Sequence, residues 1–147
     1  VTGGKWTTYR AMAEDVLQKC FTTGLLAPRP SGATVHLRVV GAPAEPVSHR
    51  MCDPQGWHTY GAEARFAREL PGADRDLGGG LCEAMVRFAV RYEYARTVED
   101  VLARRCRMLF LDARRAARMA HDVAEVLYQE TGQDPQLSAF RALAEQY

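Results

Sequence analysis

Leu81 to Ala117 reads LCEAMVRFAVRYEYARTVEDVLARRCRMLFLDARRAA, and its apolar spacing decides the fold. Ala84, Met85, Phe88, Ala89 and Tyr92 fall on one face of a helix that follows Gly80. Thr97-Val-Glu-Asp100 resembles a capping box with Asp in place of the usual Glu, and predicts a helix running through Val101 and Leu102. Leu109, Ala113, Ala116, Ala120, Val123 and Leu127 then step by four and three. They predict a long helix from about Leu111 whose narrow, alanine-rich stripe permits close packing. Gly132 supplies its stop, and Asp134-Pro135 offers a cap and first-turn proline for a last helix bearing Leu137, Phe140, Ala144 and Tyr147.

Upstream, Ala64, Phe66, Ala67 and Leu70 give a helix from Gly61 that ends at Pro71-Gly72. The Gly78-Gly79-Gly80 run follows the polar stretch LPGADRD and reads as a hinge. Between Leu25 and Tyr60, five prolines and several glycines exclude a long helix. There the alternation of Val35, Leu37 and Val39 permits one short edge strand. Trp57 and Tyr60 read as apolar side chains packed under a loop. At the start, Tyr9, Met12, Ala13, Val16, Leu17 and Cys20 form another helical pattern, capped by Thr7 or Thr8 and stopped at Gly24. The expected fold is mainly α: a small bundle of about five to six helices with one long irregular arm.

The 147 residues carry 19 basic and 18 acidic side chains, for a net charge of +1. That balance argues against a nucleic-acid binder. The arginines from Arg87 to Arg118 interleave with Glu93, Glu99, Asp100 and Asp112, as on exposed helix surfaces. No apolar run approaches the roughly 20 residues that span a bilayer. Cys20, Cys52, Cys82 and Cys106 show no metal-ligand spacing, so no metal site is expected, and a reduced, cytoplasmic protein is. His36, His49, His58 and His121 have no partner at fixed spacing and receive no catalytic role. Nowhere does GxGxxG follow a strand, so a dinucleotide would be gripped elsewhere.

Val1 to Arg10 reads VTGGKWTTYR. Glycines that let backbone approach a ligand, a mobile ammonium on Lys5 and hydroxyls at a helix start suit an anion or an electron-rich ring. Taken alone, Gly-Gly-Lys with threonines is more often a solvated turn. It is no Walker A loop, because the required earlier glycine would precede Val1. The chain has no initiating Met, and so functional a loop at its start leads to the expectation that a segment has been removed upstream.

The stretch GGKWTTYRAMAEDV, with the block from Leu81 to Ala117, resembles the FAD-dependent glycerol-3-phosphate dehydrogenases, flavoenzymes that pass electrons to quinone. Tyr92 stands where His is common, and Cys106 where Thr or Ser is common. The resemblance implies that residues 1–24 end the flavin domain, 25–60 form an arm or linker, and 61–147 form a C-terminal helical cap. It implies that Lys5 contacts the substrate and that Gly3, Gly4, Trp6, Thr7 and Thr8 face the flavin. Arg96, Arg104 and Arg105 would form ion pairs that dock the cap onto the flavin domain. FAD would be held mainly by an N-terminal domain of the same protein. The whole enzyme would lie peripherally at the cytoplasmic membrane, with homodimer contact left open, and the chain alone would be inactive. The alternative is a stand-alone helical protein-interaction module.

Overall fold

A computed structural model describes residues 4–30, 32–44, 50 and 53–147. It divides into two compact units, 1–39 and 40–147. In the first, a 3-10 turn, Trp6–Thr8, leads into α1, Tyr9–Thr22, and a second 3-10 turn spans Ala33–Val35. None of its described residues is buried. Trp6, Tyr9, Leu17, Leu25, Leu26, Val35, Leu37 and Val39 all lie exposed. The edge strand expected around Val35 is not formed. Val35 and Leu37 donate to the carbonyls of Gly32 and Thr34, closing local turns, and among the described residues no strand lies alongside to pair with.

The second unit holds the core. Its elements are α2 (Ala64–Arg68), β1 (Asp76–Gly78), β2 (Leu81–Cys82), α3 (Glu83–Tyr92), α4 (Met108–Leu111), α5 (Ala113–Thr131) and α6 (Leu137–Ala144). With α1 this makes six α-helices among the described residues, so the mainly helical expectation holds. α5 is the spine, packed against α3, α4 and α6. Ala116, Ala120, Val123 and Leu127 are fully buried along it, facing a core that includes Ala84, Met85, Leu102 and Phe140. The stripe predicted the buried face, but Asp112 interrupts it. Its backbone is extended and its carboxylate accepts the Arg115 N–H at 2.9 Å, so α5 begins two residues later and Leu109 belongs to α4.

Three local predictions are corrected. The glycine run is no hinge but the turn of an antiparallel hairpin, with Gly78 paired to Leu81 and Asp76 to Cys82. Gly79 and Gly80 both have positive φ, and a Cβ on either would strike Met108 or the Gln55 carbonyl, so the turn requires glycine. Before α2, residues Trp57–Glu63 form a 3-10 stretch broken at Gly61 rather than α-helix. Trp57 and Tyr60 pack on the bundle as expected, Tyr60 edge-on to Phe88 with centroids 5.2 Å apart. Pro135 lies before α6 rather than in its first turn. Its carbonyl accepts the Val98 N–H at 2.9 Å, and Gln136, with φ 58°, holds the cap position.

The Thr97 capping box forms reciprocally. Asp100 accepts from Thr97 N–H at 3.0 Å while Thr97 Oγ1 accepts from Asp100 N–H at 3.2 Å. The helix it opens widens into a π-helical turn, Asp100–Arg105, closed by the Cys106 N–H on the Val101 carbonyl at 3.1 Å.

Candidate functional site

In the first unit, Gly4 turns the chain with φ 104°, and a Cβ there would collide with the Met12 sulfur. Lys5 is extended, and its carbonyl accepts both the N–H and the hydroxyl of Thr8 at 3.0 Å. Thr8 occupies the cap position of α1 but turns its hydroxyl back to Lys5, so the expected side-chain cap is not made. The opening amides of the helical segment keep their positive field uncapped by a side chain. No described residue pairs with the Lys5 ammonium.

Trp6 is 89% exposed and stands 5.9 Å from the Tyr9 ring, centroid to centroid. Gly4, Lys5, Trp6, Tyr9, Met12 and Leu17 line a shallow cavity of about 630 Å³. The structure thus brings Gly4, Lys5, Trp6 and Thr8 around one turn. Thr7 is exposed beside it and does not line the cavity, and Gly3 lies outside the described residues, as do His49 and Cys52. The donor set, one free ammonium beside uncapped helix amides on an aromatic wall, fits the negatively charged edge of a reduced flavin ring. Residues to grip its pyrophosphate are not among it.

In the second unit the three singled-out arginines share a hub that their spacing hid, Asp100. Its carboxylate accepts the Arg96 N–H at 3.0 Å and pairs with Arg104, while its carbonyl accepts Arg105 Nη1 at 2.9 Å. Arg96 also donates to the Val90 and Ala95 carbonyls, and its guanidinium lies 4.5 Å from the centre of the Tyr94 ring. Arg104 reaches Glu99 at 2.7 Å, and Arg105 reaches Glu93 at 3.0 Å. Burial works to raise the Asp100 pKa, but the N–H groups of Arg96 and Thr97 outweigh it and hold the carboxyl below its usual range.

A second ion-pair network joins α3 to α5. Glu83 receives Arg75 and Arg87, and Glu130 receives Arg87 and Arg91. Burial opposes ionisation of Glu83, yet the hydrogen bonds from Arg87 and Arg75 prevail and lower its pKa. The Arg91 hydrogen bond lowers that of Glu130 in the same way. Among the described residues no group of His, Cys, Asp and Glu could hold a metal, and no helix is long and apolar enough to cross a membrane. Cys20, Cys82 and Cys106 are free thiols.

A leading unit with no buried residue among those described, followed by a helical bundle tied together by arginine–carboxylate pairs, defines the class: a small, mainly α-helical chain. Residues 57–137, more than half of its length, match the family described as the C-terminal domain of alpha-glycerophosphate oxidase, and the chain belongs to that family. It is 35% identical to the mitochondrial glycerol-3-phosphate dehydrogenase SDP6 of Arabidopsis thaliana, over 88% of this chain and 25% of that protein. It is 31% identical to a probable mitochondrial glycerol-3-phosphate dehydrogenase of Dictyostelium discoideum, over 86% of this chain and 21% of that one. The mitochondrial enzyme of Homo sapiens is 28% identical over 91% of this chain and 21% of its own length. The chain therefore spans about a quarter or less of the relatives it matches. No solved structure matches it.

These relatives correct one expectation. A cytoplasmic location, with the enzyme peripheral at the cytoplasmic membrane, is overturned by relatives that are mitochondrial by name. The physical reason is that cellular address is read from targeting segments, whereas thiol spacing and charge in a folded domain carry none.

Proposed function

We propose that this chain is the C-terminal part of an FAD-dependent glycerol-3-phosphate dehydrogenase that oxidises sn-glycerol 3-phosphate to dihydroxyacetone phosphate and passes electrons to a quinone at a membrane surface. The observation that carries the proposal is the family match over 57–137. Added support comes from the leading unit, whose apolar side chains bury nothing among themselves and call for a further surface to cover them.

In this reading residues 1–24 close the flavin domain, 25–60 link, and 61–147 form the cap. Lys5 contacts the substrate, its ammonium stabilising negative charge at the phosphate or at the oxygen being oxidised. Gly4, Trp6, Thr7 and Thr8, with Gly3, face the flavin, which supplies the hydride-accepting ring when bound. The uncapped helix start stabilises negative charge on that ring. Arg104, with a side chain 60% exposed, leads the docking face toward the N-terminal FAD domain, with Arg96 and Arg105 beside it.

The test is Lys5→Gln in the full-length enzyme, assayed with glycerol 3-phosphate and an artificial electron acceptor. Loss of one charge-stabilising group lowers kcat/KM by about 10²–10³-fold while bound flavin stays constant. A variant within twofold of the parent would remove Lys5 from the site.

A further inference from the structure

A second cavity, of about 600 Å³, opens in the bundle between the hairpin turn at Gly79-Gly80 and the start of α5. Its walls carry Arg105, Arg107 and Arg115, with Asp53 and Asp112 as the acidic members. Two of these five charges are already committed: Arg105 pairs with Glu93, and Asp53 with Arg50. Arg107 and Arg115 have side chains that no described residue pairs, set against the single carboxylate of Asp112.

Both are positioned by backbone. Arg107 sits in the left-handed region, φ 54°, between the π-helical turn and α4, a conformation uncommon for a side-chain-bearing residue. Arg115 lies in the first turn of α5 with its Nε 4.0 Å from where a Cβ of Gly78 would be, so its stem crosses the hairpin. The glycines opposite contribute no side chain, which leaves the space open.

We propose that this cavity binds a small phosphate monoester, with Arg107 and Arg115 as its two charged ligands. Guanidinium forks match phosphate oxygens in pairs. Set against one aspartate they leave a net charge of +1, which attracts an anion, and the three terminal oxygens of a phosphate can receive both forks where a carboxylate offers two. The volume exceeds that of phosphate itself and accommodates an organic group. The inference does not depend on the role given to Lys5.

The test titrates the 147-residue chain with inorganic phosphate and then phenyl phosphate, following backbone amide shifts by NMR. The expected result is saturable movement at Gly79, Gly80, Arg107 and Asp112. Arg107→Gln with Arg115→Gln should weaken the apparent affinity at least tenfold at unchanged melting temperature, while Arg114→Gln with Arg118→Gln leaves it intact. Equal loss in both pairs would mean diffuse surface charge and overturn the site. So would the absence of saturation. Phosphatidylcholine vesicles with and without phosphatidic acid separate a lipid headgroup from a free monoester. Arg107-dependent binding to the acidic vesicles without binding of the soluble phosphates would overturn the small-molecule assignment.

Discussion

Arg87 on α3 holds Glu130 near the end of α5, forty-three residues along the chain, while also gripping Glu83 one turn back on its own helix. Both partners are largely withdrawn from water. One guanidinium thereby clamps the two longest helices of the bundle.

Glu130→Gln should destabilise the chain by about 1–3 kcal/mol, because it removes the carboxylate shared by Arg87, which keeps Glu83, and Arg91, whose side chain is 39% exposed. Urea unfolding followed by circular dichroism measures it. A loss below about 1 kcal/mol would show the pair to be solvated like an ordinary surface bridge.

The same network sets an acid limit. Glu83 and Glu130 have pKa values lowered from about 4.5, and Asp100 from about 3.8. A carboxyl depressed in the folded state contributes fully above its unfolded pKa, and that contribution disappears as pH falls through the folded value. Stability should be level in this respect above about pH 5 and drop steadily below about pH 4.5. In Glu83→Gln with Glu130→Gln the drop should be shallower, which a series of melts from neutral to acid pH would reveal.

Phe140 is among the largest fully enclosed side chains and fastens α6 to α5. Phe140→Ala should cost about 3–5 kcal/mol through lost burial and the cavity left behind. Chemical denaturation with an unchanged slope would confirm a simple loss of stability.

At the start of the π-helical segment, Thr97→Ala should cost about 1 kcal/mol, the value of a helix cap. Asp100→Asn should cost more, since that carboxylate also takes the Arg96 N–H and pairs with Arg104. Equal effects would mean that Asp100 acts as a cap and nothing further.

Helix faces were the legible part of the fold, because a 3.6-residue period needs only local sequence to be seen. Ala84, Met85, Phe88 and Ala89 are buried as their spacing implied, although Tyr92, assigned to the same face, is 67% exposed and stacks on Phe88 from outside. The Thr97–Asp100 box was equally local. The hairpin was not legible: two strands of three and two residues carry no period, and their glycines resemble any flexible turn. Pro135 was misplaced for a different reason, a tertiary hydrogen bond from Val98 that no local pattern announces. The Arg87–Glu130 clamp and the convergence of three arginines on Asp100 depend on helices folding back, so their spacing in sequence hid them. The roles given to Lys5 and its neighbours came from resemblance, since a glycine-lysine turn is chemically permissive but not specific.

That none of the described residues of the leading unit is buried has a calorimetric consequence. Unfolding heat scales with residues that leave a packed state, at about 0.7 kcal/mol per residue near 60 °C. The endotherm of this chain should then correspond to residues 40–147, about 75 kcal/mol, rather than the roughly 100 kcal/mol that all 147 residues would give. A thermal scan thus reports on the bundle alone and is blind to substitutions around Lys5. Joined to a partner domain that covers this unit, the missing heat should appear, making the enthalpy deficit itself a gauge of whether the first 39 residues have found their seat.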